Sequence, residues 1–231
     1  MLSGMVATPA LVLLPGVGAD HRLFARQLEV FPNLTIPPWI PPLVDESLSS
    51  YAARFAAQLP SFRPMVLGGS SFGGMLACEL ARIVRPDALV LIGSARSPND
   101  MPWPLRAVAP MIRFIPNFIF SLMRRLGVLM TLPFGARSQA DRDVFLAMLD
   151  DTSPAFLAWA CRAMATWVPP NLDGLDVVAI HGSADLVLWA KASRSEHVVK
   201  GAGHLLPLTH SVQVNDFLRG VINRPRNKKY E

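Results

Sequence analysis

The stretch 65–84 reads MVLGGSSFGGMLACELARIV and contains the strongest local signal in the sequence. An apolar run leads into GSSFG at 69–73, a G-x-S-x-G match, and a helical pattern follows it. A nucleophilic serine has to stand on a sharp turn between strand and helix, where glycine neighbours avoid backbone clashes. The pattern therefore predicts Ser71 as a nucleophile, with the positive end of the helix directed at the developing oxyanion. The alternative is a glycine-rich turn without a catalytic role.

A serine nucleophile needs a general base, and the sequence contains five histidines. His204 lies in GAGHLLP at 201–207, directly after the last predicted strand, so we expect it at the carboxyl edge of a sheet. His181 and His197 fall within or beside predicted strands, which favours a packed or edge role. We expect His21 to cap a helix or contact substrate, and His210 to cap a helix or lie on the surface. His204 is therefore the predicted base.

The base in turn needs an acid that orients it. Asp185 follows the predicted strand 177–180 on a loop that leaves the carboxyl end of that strand. Asp173 and Asp176 precede the strand and are expected at the opposite end of the sheet. We therefore predict a triad of Ser71, Asp185 and His204.

Short apolar runs alternate with helical patterns, which predicts βαβ units and a parallel sheet covered by helices on both faces. The predicted strands are 10–14, 35–37, 64–67, 88–92, 177–180 and 197–199, and the predicted helices are 19–30, 47–59, 72–84 and 211–222. The stretch 96–171 contains no convincing strand and is rich in Met, Phe, Trp and Pro. The fold class is therefore α/β, with a helical insertion before the strand that carries the acid.

Four segments together resemble the α/β-hydrolase superfamily: LVLLPGVGAD (11–20), LGGSSFGGMLACELA (67–81), VVAIHGSADLVL (177–188) and VKGAGHLLPL (199–208). The order serine, aspartate, histidine along the chain is also the order of that superfamily. The sequence looks most like small bacterial carboxylesterases, including those similar to pimeloyl-carrier-protein methyl ester esterase, and like type II thioesterases. The resemblance implies a reduced, mostly parallel sheet of about six strands. It further implies a core formed by 1–95 and 172–224 and a helical cap formed by 96–171. The distribution of charge predicts a basic tail at 225–231.

The resemblance also implies an oxyanion hole formed by the backbone N–H groups of Val17 and Phe72. Two positions depart from the usual pattern. Ser70 stands where many relatives have a histidine, and Pro15-Gly16 replaces the usual His-Gly pair. We expect Gly16 and Ser70 to contribute to the substrate-binding site, and these departures to change the shape of the pocket more than the chemistry.

The insertion is rich in large apolar residues, and we expect Met111, Phe118 and Trp159 to line an apolar substrate pocket above Ser71. The alternative is that such residues only pack the cap onto the core. The predicted function is hydrolysis of small, apolar, short-to-medium-chain esters through an acyl-enzyme, without metal or cofactor. A thioesterase or carrier-protein-directed hydrolase, with an acyl-carrier protein as partner, and a non-hydrolytic lyase or binding member are the alternatives.

Composition limits the remaining possibilities. The chain has 231 residues, 51% of them hydrophobic, and a formal net charge of +5. Five basic residues and one acidic residue lie in 219–231, so the rest of the chain is nearly neutral, which argues against a nucleic-acid partner. The basic end is expected to be solvated, or else an electrostatic anchor. Two cysteines cannot form a disulfide framework, and the apolar stretch 108–134 is interrupted by proline and arginine, so we expect a cytoplasmic protein without a transmembrane segment.

Overall fold

The computed structural model describes residues 9–224. Its sheet has six strands: β1 (Ala10–Leu14), β2 (Leu34–Thr35), β3 (Met65–Ser70), β4 (Ala88–Ile92), β5 (Val177–Gly182) and β6 (His197–Val199). They lie in the order β2-β1-β3-β4-β5-β6, and every neighbouring pair is parallel. The predicted α/β class and the predicted sheet of about six strands are confirmed.

Ten α-helices surround the sheet in the part of the chain that the structure describes. They are α1 (Ala25–Leu28), α2 (Leu48–Phe55), α3 (Phe72–Val84), α4 (Trp103–Ile112), α5 (Asn117–Arg125), α6 (Thr131–Phe134), α7 (Gln139–Asp151), α8 (Pro154–Ala165), α9 (Leu206–Thr209) and α10 (Ser211–Ile222). Short 3-10 segments lie at His21–Phe24, Ala56–Gln58, Pro98–Asp100 and Gly127–Met130. The bounds of α3 and α10 are those predicted from the sequence.

Successive side chains of a strand point to opposite faces of the sheet, so the core has two layers, one on each face. In β1, Val12 and Leu14 face the layer that α2, α3 and α8 cover, whereas Leu11 and Leu13 face the layer under α7, α9 and α10. The strands are apolar on both faces because helices cover both sides of a parallel sheet. Full burial of one such side chain contributes about 1.5–3 kcal/mol. The sheet is thereby a rigid base for the loops at its carboxyl edge.

Five predicted elements differ in their bounds from the observed ones. The strand expected at 64–67 is β3 (Met65–Ser70), the strand expected at 177–180 is β5 (Val177–Gly182), and the helix expected at 47–59 is α2 followed by the 3-10 turn Ala56–Gln58. The second strand was expected at 35–37 but is Leu34–Thr35, because Pro37 and Pro38 cannot donate an N–H to a strand ladder. The helix expected at 19–30 is a 3-10 turn followed by the short α1. The carboxylate of Asp20 accepts a hydrogen bond from the N–H of Arg22 and so starts the turn at His21.

The segment between β4 and β5 contains five of the helices, α4–α8. Helix α8 contributes Phe156 and Trp159 to one layer of the core, and α7 contributes Phe145 and Met148 to the other. The division into core and cap stays a prediction, and the predicted tail at 225–231 lies outside the described residues. Within 9–224 no single helix is long and apolar enough to span a membrane, and only the pair α7 and α8, bent by 96°, reaches that length and composition together.

Candidate active site

The turn between β3 and α3 consists of Ser71 alone. Its backbone has φ 52° and ψ −122°, a conformation that costs free energy for a residue with a side chain. A Cβ on Gly73 would lie 2.2 Å from the carbonyl oxygens of Leu14 and Pro15, and one on Gly69 would lie 2.4 Å from the backbone of Gly73. The two glycines of the G-x-S-x-G segment are therefore what allows the strand and the helix to approach so closely around the serine.

The structure brings the three predicted triad residues together. The Nε2 atom of His204 lies 2.9 Å from Oγ of Ser71, and its Nδ1 atom lies 2.7 Å from Oδ2 of Asp185. Asp185 follows β5 and His204 follows β6, at the carboxyl edge where the sequence placed them. With Nδ1–H donated to the carboxylate, Nε2 presents a lone pair to the serine hydroxyl. This is the arrangement needed to remove the proton from a nucleophile.

Asp185 is held by its own loop as well as by the histidine. Its Oδ1 atom accepts the backbone N–H groups of Val187, at 2.8 Å, and Leu188, at 2.9 Å. Burial by itself raises the pKa of Asp185, but the charge of His204 and the hydrogen bonds to the carboxylate outweigh that effect. The pKa of Asp185 therefore lies well below its usual range, and the side chain stays ionised beside the imidazole.

His181 contacts the acid, which the sequence analysis missed. It is fully buried, and its Nε2 atom lies 2.7 Å from the carbonyl oxygen of Leu188 and 3.2 Å from Oδ2 of Asp185. The hydroxyl of Ser195 lies 3.4 Å from Nδ1. The carbonyl requires a proton on Nε2, so Nε2–H is also directed towards the carboxylate. The packed role expected for His181 is observed, and the only signal for the contact was its place four residues before Asp185.

Both predicted oxyanion donors lie close to Ser71. Phe72 follows the serine directly in the sequence, and Val17 follows Gly16, which packs on the serine from the loop after β1. A Cβ on Gly16 would lie 3.3 Å from the serine Cβ. The N–H of Phe72 is the first of α3, where helix N–H groups have no partner within the helix. Within residues 9–224, neither the N–H of Val17 nor that of Phe72 has an acceptor. Both groups are therefore free to donate to a bound oxygen.

The other predicted binding residues have different surroundings. Ser70 is buried at the end of β3. Trp159 is also buried: its ring meets that of Phe72 edge-on with centroids 5.8 Å apart, and its Nε1 donates to the carbonyl oxygen of Glu46. Trp159 thus packs against Phe72, the residue after Ser71, in agreement with the alternative that such residues pack the core.

Met111 and Phe118 do not line an enclosed pocket in this structure. They are 66% and 67% exposed on the outer side of α4 and α5. The residues that pack these helices against α8 are Ile112, Ile115 and Phe120 instead. A surface helix buries only one of its faces. Neighbouring residues occupy the buried faces of α4 and α5, so Met111 and Phe118 are left on the exposed faces.

Competing nucleophiles and metal sites are also accounted for in the described part of the chain. Burial raises the pKa of the Cys78 thiol to about 12 and that of Cys161 to about 11, so neither is a thiolate at neutral pH. No group of three or more His, Cys, Asp or Glu within residues 9–224 could hold a metal ion. Ser71, in contrast, has the Nε2 atom of His204 within hydrogen-bond distance of its hydroxyl.

A family model described as the alpha/beta hydrolase family matches residues 10–217. The chain belongs to the alpha/beta hydrolase family. This confirms the resemblance inferred from the four sequence segments. A comparison with curated proteins gives no match.

Solved structures of an esterase and a thioesterase, and one from a study of carboxylesterases, share the architecture of this chain. A thermophilic esterase from Thermogutta terrifontis is 22% identical, with a TM-score of 0.67 over 94% of this chain and 89% of the other. A structure from a study of carboxylesterases of Nitrososphaera gargenis is 18% identical, with a TM-score of 0.71 over 93% and 90%. The type II thioesterase BorB from the borrelidin biosynthetic cluster is 20% identical, with a TM-score of 0.66 over 94% of each chain. At these identities the likeness concerns the fold.

Proposed function

We propose that this alpha/beta hydrolase is a serine carboxylesterase that cleaves small apolar esters through an acyl-enzyme. The observation that carries the proposal is a chain of two hydrogen bonds. One joins Ser71 Oγ and His204 Nε2 at 2.9 Å, and the other joins His204 Nδ1 and Asp185 Oδ2 at 2.7 Å. A serine hydroxyl is a weak nucleophile unless a positioned base removes its proton. These two hydrogen bonds supply that base, and the ionised carboxylate keeps the imidazole in the required tautomer.

In the first half of the reaction, Ser71 Oγ attacks the ester carbonyl carbon while His204 takes the hydroxyl proton. The carbonyl oxygen becomes an oxyanion, which accepts hydrogen bonds from the N–H groups of Val17 and Phe72. His204 then gives its proton to the leaving alkoxide, and the alcohol departs. A water molecule, deprotonated by the same histidine, then attacks the acyl carbon. The bond from that carbon to Ser71 Oγ breaks, His204 returns the proton to Oγ, and the carboxylic acid is released.

The preference for an apolar substrate is supported by the partly exposed side chains nearest the site. Val17 and Trp39 pack against the core layer that contains Phe72. The rings of Trp39 and Phe72 have centroids 5.7 Å apart. An acyl chain that contacts these groups loses water from apolar surface, at about 25 cal/mol per Å². Esters with an apolar acyl group, of short to medium chain length, are the proposed substrates, and the ester series below tests the length.

The test is a series of p-nitrophenyl esters from acetate to octanoate, measured beside butyryl-CoA and a butyryl thioester of an acyl-carrier protein. We expect Ser71→Ala to lower kcat on the best ester on the order of 10⁴-fold or more. Ser49→Ala, an exposed serine on α2, is the matched control and retains full activity. If either thioester is cleaved more than about 100-fold faster than every ester, a difference of about 2.7 kcal/mol in transition-state binding, the thioesterase alternative replaces the carboxylesterase. Full ester hydrolysis by Ser71→Ala contradicts both.

A further inference from the structure

Helices α4 and α5 and the turn between them expose several large apolar side chains. Trp103 is 69% exposed, Met111 66%, Phe114 72% and Phe118 67%. Leu122 lies four residues after Phe118 on the same face of α5, and Leu126, the residue that caps the end of this helix, follows at the same spacing. We call these six residues the α4–α5 surface. A large amount of exposed apolar surface is typical of an interaction site in a folded protein.

The two helices are attached to the protein through other residues. Ile112, Ile115 and Phe120 pack with Leu157 and Ala158 of α8. The α4–α5 surface is therefore a second apolar side on helices whose inner side already has a partner. The packing of α4 and α5 onto α8 gives no reason for these six residues to be apolar.

The chain segment that carries this surface is basic. Residues 101–140 contain five arginines and no aspartate or glutamate. Arg124 pairs with Asp150, but none of the ion pairs within residues 9–224 involves Arg106, Arg113 or Arg125. The guanidinium of Arg113 lies over the ring of Phe114, 4.6 Å from its centroid. The surface thus combines exposed apolar rings with cations that have no carboxylate partner.

We propose that the α4–α5 surface docks this protein on an anionic lipid bilayer. Helices that lie in a membrane interface insert apolar side chains and hold Arg or Lys at headgroup level, and tryptophan favours the same depth. Arginine side chains reach anionic headgroups while their aliphatic parts stay in apolar surroundings. A second copy of the chain is a poorer fit, because a two-fold contact through this surface would bring arginines against arginines.

Docking in this way would place the bilayer near the candidate active site. Val17, in the loop beside Ser71, packs against the cluster of Phe120, Leu157 and Ala158 that anchors α5 on α8. An apolar ester dissolved in the bilayer would then be one packed layer away from the serine. This last step rests on the proposed function, whereas the docking itself does not.

Vesicle flotation tests the proposal with the full-length protein. Phosphatidylcholine vesicles containing one quarter phosphatidylglycerol are compared with pure phosphatidylcholine, at low and high salt. We expect binding to the anionic vesicles to be on the order of tenfold stronger, and to weaken as salt screens the charges. Phe114→Ser combined with Phe118→Ser, and separately Arg113→Glu combined with Arg125→Glu, should each reduce it on the order of tenfold.

Matched controls lie outside the surface. Phe62 is 74% exposed and Arg82 is an exposed arginine near the end of α3, so Phe62→Ser and Arg82→Glu should leave binding unchanged. Deletion of the basic residues 225–231 should lower binding less than the paired changes on α4 and α5. Ser71→Ala should bind as well as the unchanged protein, which separates failure of docking from failure of the proposed function.

Three results would overturn the proposal. The first is that the protein binds neither type of vesicle. An acidic protein would then be the better partner for the α4–α5 surface. The second is binding that disappears with residues 225–231 and is insensitive to the changes on α4 and α5. The third is a stable dimer in light scattering that Phe114→Ser combined with Phe118→Ser dissociates, because the surface would then be covered by a second copy.

Discussion

Replacing Asp185 with asparagine keeps the size of the side chain but exchanges one acceptor oxygen for an N–H₂ donor. The carboxylate accepts the backbone N–H groups of Val187 and Leu188 on one oxygen and Nδ1–H of His204 on the other. An asparagine that retains the two backbone bonds must direct its N–H₂ group at His204. The opposite orientation leaves two backbone donors unsatisfied, at about 1–3 kcal/mol each.

The favoured orientation has a definite effect on the base. An N–H₂ group 2.7 Å from Nδ1 requires that atom to accept, so the proton of a neutral His204 moves to Nε2. Nε2 then faces Ser71 with a hydrogen and cannot take the hydroxyl proton. In a serine triad this wrong tautomer lowers kcat by about 10⁴-fold, or about 5.5 kcal/mol of transition-state stabilisation. The same N–H₂ group faces Nε2–H of His181, so we also expect a stability loss of about 1–3 kcal/mol.

The assay is steady-state hydrolysis of p-nitrophenyl butyrate, with kcat and KM resolved separately, and urea unfolding for stability. We expect kcat to fall and KM to change little, because the substitution does not touch bound substrate. Asp173→Asn, an exposed carboxylate before β5, is the matched control. A kcat of Asp185→Asn within about tenfold of the unchanged protein would refute the tautomer argument, because the decrease that the wrong tautomer predicts is about a thousandfold larger than that.

Three further predictions concern the surroundings of the site and the core. His181→Ala removes a donor to the acid but leaves the other three, so we expect kcat to fall by about tenfold and stability by about 1–3 kcal/mol, and an unchanged kcat in steady-state assays would contradict a positioning role. In thermal melts, Gly73→Ala should destabilise the protein by about 3 kcal/mol or more, because the added Cβ meets backbone atoms. Gly220→Ala in α10, where nothing lies within 4 Å of the added Cβ, should instead stabilise it by about 0.5–1 kcal/mol. Equal effects of the two substitutions would contradict the steric role of Gly73 in the turn. The hydrogen bonds from Arg54 lower the pKa of Glu46 in the folded protein. The ionised carboxylate therefore stabilises the fold above its ordinary pKa of about 4.3, and this stabilisation is lost as the pH falls through the lowered value. In urea melts, Glu46→Gln should cost stability at pH 7 and progressively less below about pH 4, and a difference in stability that stays constant with pH would contradict this linkage.

Much of the fold could be predicted because its signals are local. The strands β1, β3, β4 and β5 are buried on both faces and therefore appear as continuous apolar runs. The G-x-S-x-G segment has a steric requirement that two glycines alone reveal. The placement of Asp185 and His204 followed from one geometric rule, since the carboxyl ends of parallel strands meet at one edge of the sheet.

The parts that could not be predicted depend on which surfaces meet. His181 contacts Asp185 because the loop after β5 folds back over the end of the strand, and its ring is held there by the carbonyl oxygen of Leu188. A sequence records the apolar character of Met111 and Phe118 but not which side of α4 or α5 a neighbouring helix covers. Both side chains were expected over the serine for that reason, and both are on the outer surface.

The central claim is that Ser71 is a nucleophile activated by His204, and covalent labelling tests it most directly. A fluorophosphonate transfers its phosphonyl group to an activated serine oxygen, with release of fluoride and transfer of the serine proton to the base. We predict a single adduct by intact mass, located by peptide mapping at Ser71, absent from Ser71→Ala and formed far more slowly in His204→Ala. An unlabelled protein, an adduct at another residue, or equal labelling of Ser71→Ala would contradict the account.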